Sequence, residues 1–406
     1  MKKEREFRQL VVSDKGARWV KNGHPWIYEG EIVSSDGNIP NGSIVDAVDL
    51  KGRYLGSGFY SENSRIRVRL ISSNANDRFD EAFWRRRVTY AWEYRKTVMK
   101  DDLSCCRVIF GEADGFPGLT VDRYSDILVA QTLSFGIERL KGMLFPLVMD
   151  VLRSDGQDVR RIFERNDVRL RALEGLEEYK AWFGDPENRE TVTEIIENGI
   201  YYSVDVENGQ KTGFFLDQKY NRLAVERLAQ GKNILDCFTH TGSFALNAAK
   251  GGAEHVTAVD VSRDALDMAR CNAARNCLED RIDFICEDAF DYLRRQLDEG
   301  RCRFDMIILD PPAFTKSRKT AGNAERGYRE INSCAMKILP RGGYLATASC
   351  SHFMPHEDFE RMLRRAAADA SVELKQIEAR QQAPDHPILW NVPETDYLKF
   401  YIFQVV

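Results

Sequence analysis

The sequence contains no long apolar run, no CxxC pair and neither of the glycine-rich motifs that cradle a pyrophosphate. Its 406 residues are 43% hydrophobic and 30% charged, and no stretch approaches the roughly 20 apolar residues of a membrane helix. The opening residues, MKKEREFRQL, lack an apolar signal region. These absences predict a cytoplasmic protein, and its length favours two or three domains over a single core.

Cysteine occurs nine times, in a pattern that fits neither a disulfide framework nor a metal site. The number is odd, Cys105 and Cys106 are adjacent, and the others are scattered. We therefore predict no bound metal and expect most of the thiols to be small buried hydrophobic groups. Cys350 needs separate treatment, because it follows the strand-like segment LATAS and is flanked by two serines.

Charge is unevenly distributed along the chain. The net charge of −5 argues against bulk nucleic-acid binding, but residues 1–75 carry twelve Lys or Arg against nine Asp or Glu, a net charge of +3. The segment 83–96, FWRRRVTYAWEYRK, interleaves further cations with aromatic residues. This pattern is typical of an RNA-contacting surface and equally of an ordinary solvated helical face.

The first two domains are predicted from a change of pattern after residue 75. Residues 1–75 contain short β-rich runs separated by Gly, Asn, Asp and Ser turns, which is typical of a small β-barrel. Residues 76–188 mix strand-like runs with helical patterns at 78–100, 137–154 and 168–180. This mixture predicts a central α+β domain.

A third domain, 189–406, begins with a β-hairpin signal in which Asn198-Gly199 separates two β-rich arms. After it, four apolar runs, NILDCF, HVTAVDV, IDFICED and FDMIILD, alternate with helical stretches. Strands that alternate with helices in this way predict a parallel sheet in a Rossmann-like α/β fold.

Three acids end three successive predicted strands: Asp236, Asp260 and Asp288. Ligands of open α/β sheets bind at the carboxyl ends of the strands. There, the acid of the second strand suits the hydroxyls of a ribose, and Asp288 suits a position beside an adenine. Each acid taken singly could instead be a helix N-cap. The three together indicate a nucleoside cofactor.

The turn after the first of these strands indicates which cofactor. Its sequence, DCFTHTGSF, contains one glycine, Gly242, and the chain has neither GxGxxG nor GxxxxGK[ST]. A pyrophosphate therefore has no glycine cradle, whereas Asp236 would repel a phosphate and could bind an ammonium. S-adenosylmethionine has an ammonium, a ribose and an adenine but no phosphate, so it is favoured over NAD.

Four segments carry a resemblance to a known family. DCFTHTGSFALNAA, VDVS and DPPAF resemble successive motifs of class I S-adenosylmethionine-dependent methyltransferases, and GQKTGFFLDQKYNR resembles an additional motif of a subset of them. The resemblance implies that Phe215 packs on the cofactor and that Asp217 faces it, although Asp217 could also be a helix N-cap. The cofactor-binding residues implied are Asp217, Gln218, Asp236, Phe238, Gly242, Asp260, Ser262, Asp288, Ala289 and Asp310.

The DPPAF segment (310–314) predicts a rigid loop beside the methyl donor, because consecutive prolines restrict the backbone. Such a loop can hold a flat base by its polar edge. The segment resembles those of methyltransferases that act on exocyclic base amines and of some that act on base carbons. A purely structural double-proline turn is a further alternative.

Cys350 favours transfer to carbon. C5 of cytosine is a poor nucleophile until a thiolate adds to C6, and SCS resembles the sixth motif of RNA 5-methylcytosine methyltransferases, whose cysteine is that nucleophile. We therefore assign Cys350 as nucleophile and Asp310 as the acid that holds the ring at N3. Many of those enzymes have a second cysteine that aids product release, and DPPAF has none. The candidate bases for the C5 proton are His240, His352 and His386.

Nearly the whole chain, including FGEADGFPGLTVDRY, RNDVRLRALEGL and KTGFFLDQ, resembles the bacterial 23S rRNA cytosine-5 methyltransferases of the RlmI type. The resemblance implies S-adenosylmethionine as donor, 23S rRNA as substrate and a PUA-like N-terminal domain that helps to bind RNA. A homodimer, a methyltransferase acting on a base nitrogen and a catalytically vestigial RNA-binding ribosome-assembly factor stay open as alternatives.

RNA contacts are expected in the PUA-like domain, where cations stand near HPWIY. Trp26 and Tyr28 either fill the core of the small barrel or meet RNA bases. The cations expected to contact RNA are Arg8, Lys15, Arg18 and Lys21.

Overall fold

The computed structural model describes residues 5–100, 102–185, 187–300, 303–314 and 321–406. Contacts between residues divide the chain into two units. No helix within these ranges combines the length and the apolar character needed to cross a membrane. The N-terminal unit comprises Met1–Ile195, Val204–Leu216 and Pro384–Thr395, and the C-terminal unit comprises Ile196–Ser203, Asp217–Ala383 and Asp396–Val406.

The first sheet has six strands in the order β2-β6-β5-β4-β1-β3. Apolar residues of alternating strand positions and of the single helix form its core, so that Leu10, Val12, Ile27, Val45 and Val68 are at most 1% exposed. Its elements are β1 (Arg8–Val12), α1 (Asp14–Lys21), β2 (Trp26–Tyr28), β3 (Ile32–Ser35), β4 (Ile44–Asp49), β5 (Tyr54–Tyr60) and β6 (Ile66–Ser72).

Trp26 and Tyr28 do not fill the core of this sheet, contrary to one of the two interpretations. Both lie on β2, where Ile27 between them is fully buried, and successive side chains of a strand point to opposite faces. The Trp26 indole N–H donates to Glu112 Oε1 at 2.8 Å, and Tyr28 is 39% exposed.

The second sheet has five strands in the order β11-β10-β9-β8-β7. The helices predicted at 78–100 and 137–154 are confirmed, but the helix predicted at 168–180 is wrong. That segment forms a short 3-10 turn, Arg169–Glu174, and then a strand. The elements are α2 (Glu81–Met99), β7 (Cys105–Phe110), β8 (Leu119–Tyr124), β9 (Ile127–Thr132), α3 (Phe135–Ser154), β10 (Arg161–Asn166) and β11 (Tyr179–Trp182).

The physical reason for that error lies in the pairing of the segment with β10. Gly175 has φ +75°, which ends the 3-10 turn after Glu174. The next residues then pair antiparallel with β10, with Trp182 opposite Phe163. A polar, helix-like composition is overridden by this ladder. The division of the chain into domains 1–75, 76–188 and 189–406 stays a prediction.

The predicted hairpin is present as β12 (Val192–Glu197) and β13 (Ile200–Asp205). Asn198 and Gly199 have φ values of +53° and +72°. Two consecutive positive φ values are what a two-residue type I′ turn requires, and Asn-Gly is the pair that adopts them most easily.

The third sheet has seven strands in the order β16-β15-β14-β17-β18-β20-β19. The five strands β14 to β18 run parallel, as predicted, and β20 runs antiparallel between β18 and β19. The elements are α4 (Lys219–Leu228), β14 (Asn233–Cys237), α5 (Ser243–Lys250), β15 (His255–Asp260), α6 (Arg263–Arg275), β16 (Ile282–Cys286), α7 (Ala289–Glu299), β17 (Met306–Leu309), α8 (Ala321–Ile338), β18 (Tyr344–Ser349), α9 (His356–Ala370), β19 (Leu374–Arg380) and β20 (Lys399–Val405).

Candidate active site

The carboxyl ends of the five parallel strands bring the predicted site residues to one edge of the third sheet. The chain runs outward from β14 through β15 to β16 on one side and through β17 to β18 on the other. The switch point of the topology therefore lies between β14 and β17, which is where open α/β sheets bind ligands. Across this edge the side chains follow the order Asp288, Asp260, Asp236, Asp310 and Cys350.

The turn between β14 and α5 has an unusual backbone. Phe238 and His240 have φ values of +64° and +52° although neither is glycine, and such residues persist only where the surroundings hold them. Gly242, with φ +80°, begins α5, and a Cβ there would lie 3.0 Å from the Cβ of Ala269. The His240 N–H donates to Asp260 Oδ2 at 2.8 Å, which helps to hold the turn.

Asp236 is the most informative acid of the edge. Its side chain is fully buried, and Oδ2 accepts from the Thr239 hydroxyl at 2.5 Å and from the Ala245 N–H at 3.0 Å. Oδ1 has no hydrogen-bond partner among the described residues. Burial, and then the carboxylates of Asp310 and Asp260, raise the pKa of Asp236 to about 7.

A buried carboxylate oxygen without a partner, beside two further acids, fits a cationic ligand group. Neither Asp236 nor Asp260 forms an ion pair with the part of the chain that the structure describes. The ammonium of S-adenosylmethionine supplies both positive charge and N–H donors. The carboxylates at this edge of the sheet therefore suit that cofactor and would repel a phosphate.

Ser262 and Asp288 have local structural roles. The Ser262 N–H donates to Asp260 Oδ1 at 2.9 Å, and its hydroxyl accepts from the Ala265 N–H at the start of α6. Asp288 is exposed and accepts from the Phe290 N–H at 2.8 Å, capping α7. The N-cap interpretation is thus correct for Asp288. A cofactor contact of these residues, and of the buried Ala289 that opens α7, stays a prediction.

Asp217 and Gln218 lie at the start of α4, and both are 3% exposed. Gln218 Nε2 donates to Asp310 Oδ1 at 2.9 Å, so it helps to orient that carboxylate. Asp217 is not the N-cap of α4, a position that Gln218 occupies. Its Oδ2 instead accepts from the Tyr397 hydroxyl at 2.7 Å. Phe215 belongs to the N-terminal unit, where the Lys211 ammonium lies 4.6 Å from its ring centre.

Tyr328 of α8 connects the DPPAF loop with the strand that ends at Cys350. Its ring centre lies 4.6 Å from that of Phe314, and its hydroxyl accepts from the Ser349 hydroxyl at 3.1 Å. Burial raises the pKa of Tyr328 well above its usual range, and the Cys350 and Asp310 groups raise it further. Tyr328 therefore packs against the last residue of DPPAF and binds the serine that precedes the nucleophile candidate.

Cys350 is half-buried and directly follows β18. Both flanking serines are buried, and the Ser351 N–H donates to Ser349 Oγ at 3.4 Å. Lys399 Nζ donates to the Ser351 carbonyl at 2.7 Å. A thiolate at Cys350 also interacts electrostatically with the Lys399 ammonium. A buried cation thus holds the residue that follows the thiol.

The three histidines differ in their surroundings. His240 is half-buried in the β14–α5 turn, and burial lowers its pKa. His352 is exposed, two residues after Cys350. His386 is buried in the N-terminal unit, with Nδ1 2.8 Å from Asp385 Oδ1 and its ring against Phe110. The choice of base stays open.

Sequence reasoning missed Lys399, Tyr328 and Tyr397. A lysine inside the apolar run of LKFYIF was a usable signal, because unpaired lysine is rarely buried. Tyr328 and Tyr397 carried none, since tyrosine is common in cores and at surfaces. Their roles follow only from contacts with residues distant in the chain.

Three of the cations predicted to contact RNA share the exposed face of α1. Lys15, Arg18 and Lys21 follow at intervals of three residues and are all exposed, so they form one surface, called here the α1 basic face. Within this surface Lys15 pairs with Glu31 at 3.7 Å and Lys21 with Asp49 at 3.3 Å. Exposed Trp19, at 51%, lies beside them. Arg8 is also exposed, and it donates to the Asp36 carbonyl at 3.1 Å.

The basic segment 83–96 of α2 is mainly structural. Its aromatic residues Trp84 and Trp92 are at most 1% exposed, and its cations are largely paired with acids. Those ion pairs are Arg85–Glu81, Arg86–Asp77, Arg95–Asp114 and Lys96–Asp155. This favours the solvated-helix interpretation over an RNA surface.

Comparison with protein families gives two matches that follow the two ends of the chain. Residues 177–403 match the S-adenosylmethionine-dependent methyltransferase family. Residues 10–73 match a PUA-like domain.

Curated proteins align over nearly the full length. Ribosomal RNA large subunit methyltransferase I of Klebsiella pneumoniae is 37% identical over 402 residues, 98% of this chain and 99% of that protein. The protein of the same name from Pseudoalteromonas translucida is 40% identical over 390 residues, 95% and 96% of the two chains.

Solved structures agree in fold. A Streptococcus mutans protein assigned as an S-adenosylmethionine-dependent methyltransferase superposes with a TM-score of 0.81 at 21% identity, covering 98% of this chain and 100% of that one. A further structure, assigned as a methyltransferase and complexed with SAH, gives 0.83 at 20% identity with the same coverage. The predicted fold class, a Rossmann-like α/β sheet with a PUA-like N-terminal domain, is confirmed.

Proposed function

Because the chain belongs to the S-adenosylmethionine-dependent methyltransferases, and within them to the ribosomal RNA large subunit methyltransferase I family, we propose that it methylates C5 of a cytosine in 23S rRNA. S-adenosylmethionine is its cofactor and supplies an electrophilic methyl group. Asp236, Asp260 and Asp310, with Gln218 holding Asp310, would bind it at the switch point of the third sheet.

The observation that carries the choice of C5 is the position of Cys350. It directly follows β18, whose neighbour β17 leads into Asp310, so thiol and carboxylate follow adjacent strands at the cofactor edge. A base held by Asp310 at its N3 edge can therefore be attacked at C6 by the thiolate. Transfer to a base nitrogen needs no cysteine there.

The cysteine chemistry balances in four steps. The electron pair of the Cys350 thiolate forms the S–C6 bond, and the electron pair of the broken C5=C6 π bond makes C5 nucleophilic. C5 then takes the methyl group as the sulfonium S–CH3 bond breaks, and the donor leaves as the neutral thioether S-adenosylhomocysteine. A base removes the C5 proton, and the electron pair of that C–H bond re-forms C5=C6 and expels the thiolate from C6. The thiolate is regenerated, so the enzyme turns over without a second cysteine, which DPPAF lacks.

The decisive experiment is nucleoside mass spectrometry of rRNA incubated with wild-type protein and with Cys350→Ala. We expect 5-methylcytosine from the wild type and none from the variant, while calorimetry finds unchanged S-adenosylmethionine affinity. Cys334→Ala, at another half-buried cysteine, is the matched control and should keep activity.

The other outcomes separate the alternatives. Retained 5-methylcytosine in Cys350→Ala removes Cys350 as nucleophile. An N-methylated base from the wild type shows that DPPAF holds an amine or ring nitrogen. Cofactor binding without any methylated nucleoside favours an assembly factor.

RNA binding is proposed for the α1 basic face together with Arg8. These cations are exposed and lie within residues 1–75, which carry a net charge of +3. A cytoplasmic location and a homodimer stay predictions.

A further inference from the structure

Lys399 is a buried lysine at the start of a buried strand. It is 1% exposed, and its neighbours Leu398 and Phe400 are at most 1% exposed. Burying an ammonium without compensation is strongly unfavourable. A lysine at this position therefore needs partners, or a role that outweighs its cost in stability.

Its hydrogen-bond partners are two backbone carbonyls. Nζ donates to the Ser351 oxygen at 2.7 Å and to the Tyr397 oxygen at 2.8 Å. No carboxylate of the described residues lies within ion-pairing distance of it. Desolvation lowers the pKa of Lys399 to about 8, while a charged Cys350 and Asp396 act in the opposite direction.

The strand register places Lys399 beside the residue that precedes the nucleophile. β20 is antiparallel to β18, and Lys399 stands directly opposite Ser349. The residue after Ser349 is Cys350, and the next is the Ser351 that the amine binds. The lysine thus holds the backbone immediately after the thiol, and its ammonium interacts electrostatically with a charged Cys350.

The same lysine is linked to the cofactor side. Tyr397, whose carbonyl it binds, donates its hydroxyl to Asp217 at 2.7 Å. Asp217 in turn lies next to Gln218, which holds Asp310. One short network therefore connects the strand end of Cys350 with the residues proposed to meet the cofactor.

We propose that Lys399 is a positioning residue for Cys350, holding its strand end through the Ser351 carbonyl and stabilising the thiolate with its ammonium charge. The inference rests on the proposed cysteine chemistry. The thiol proton leaves to solvent, the S–C6 bond forms and later breaks as described above, and Lys399 keeps its proton throughout. Its charge opposes that of the thiolate before attack and after release.

The test measures the thiol itself and needs neither RNA nor methyl transfer. Cys350 is alkylated with iodoacetamide over a pH series, and its peptide is followed by mass spectrometry because the chain has nine cysteines. In Lys399→Gln the amide still donates hydrogen bonds but carries no charge. We expect its Cys350 to react about tenfold more slowly at pH 7, with an apparent pKa about one unit higher.

Control variants test the other charged groups near Lys399 and Cys350. These are Asp396, which His356 of α9 contacts at 3.1 Å, together with Asp310 and the Tyr328 phenol. The series is therefore repeated in His356→Gln, which should retain the wild-type profile. Lys375→Gln, on exposed β19, is the matched lysine control and should behave as wild type.

A further arm needs no substitution. Cys350 of the folded wild type should titrate at lower pH than Cys350 in urea, since burial alone would move it the other way. The inference is overturned if the apparent pKa of Cys350 in the folded protein equals or exceeds the value in urea. It is also overturned if the pH dependence of Cys350 alkylation in Lys399→Gln matches that of wild type. Methylation by Cys350→Ala would overturn the proposed function instead, and that result is independent of the alkylation data.

Discussion

Replacing Asp236 with asparagine should strengthen the fold and weaken cofactor binding. The wild-type carboxylate is fully buried with Oδ1 unpartnered, and its pKa is raised to about 7. The charged form is therefore disfavoured in the folded, cofactor-free protein. An amide has the same shape, keeps an acceptor for Thr239 and Ala245, and carries no charge.

The magnitude follows from proton linkage. A folded pKa of about 7, against about 3.9 in the unfolded chain, is a difference of about 3 units or about 4 kcal/mol. Because the folded state holds the Asp236 proton more tightly than the unfolded state, this proton stabilises the fold of the wild type. That contribution is fully present below pH 4 and is lost as the pH rises through 7. Asp236→Asn removes this loss, so we expect its free energy of unfolding to exceed that of wild type by up to about 4 kcal/mol at pH 8.

The affinity for S-adenosylmethionine should fall in the same variant whose stability rises. A hydrogen bond between charged groups contributes about 1.5–3 kcal/mol, so Asp236→Asn should raise the Kd for S-adenosylmethionine about 10- to 150-fold. Binding by wild type should strengthen as the pH rises through 7, because the ionised carboxylate is the one that pairs with the ammonium. The variant should lack this dependence.

The assays are urea unfolding of cofactor-free protein at pH 5 and pH 8, and calorimetric titration with S-adenosylmethionine. Asp298→Asn is the matched control, since Asp298 is an exposed acid near the end of α7 and is not among the predicted cofactor-binding residues. Equal pH dependence of stability in wild type and Asp236→Asn would refute the reasoning. So would unchanged affinity in the variant.

Two further predictions concern a buried ion pair and the RNA surface. Arg222 Nε donates to Glu197 Oε1 at 2.7 Å, and both side chains are at most 1% exposed. Glu197→Gln should therefore lower the free energy of unfolding by about 3–5 kcal/mol. A loss below 1 kcal/mol, measured by urea unfolding, would contradict this prediction. Changing all three cations of the α1 basic face to glutamine should weaken binding of rRNA fragments and reduce the slope of log affinity against log salt by about two. Cofactor affinity should not change, and an unchanged salt slope would exclude this face from the interface.

Local patterns sufficed where neighbouring residues determine the conformation. Asn198-Gly199 predicted the hairpin because its positive φ values are a property of the two residues themselves. The parallel sheet followed from apolar runs that alternate with helices, and the acids ending those runs predicted the ligand edge, since parallel strands end on the same side. Cys350 could be singled out because it follows such a run after DPPAF.

Local patterns failed where a distant partner decides. Residues 168–180 look helical until the pairing of Tyr179–Trp182 with β10 is known. Trp26 looked like core until Ile27 was found to take the inward position of β2.

The sequence by itself determined the order of the strands along the chain and the chemistry at their ends. Only the tertiary structure decided what surrounds those ends: the isolation of Asp236 Oδ1, and the amine of Lys399 beside the strand end of Cys350. The physical reason is that burial and electrostatic interaction depend on distance in space. β20 brings Lys399 opposite Ser349 by returning antiparallel along β18, a pairing that no local pattern specifies.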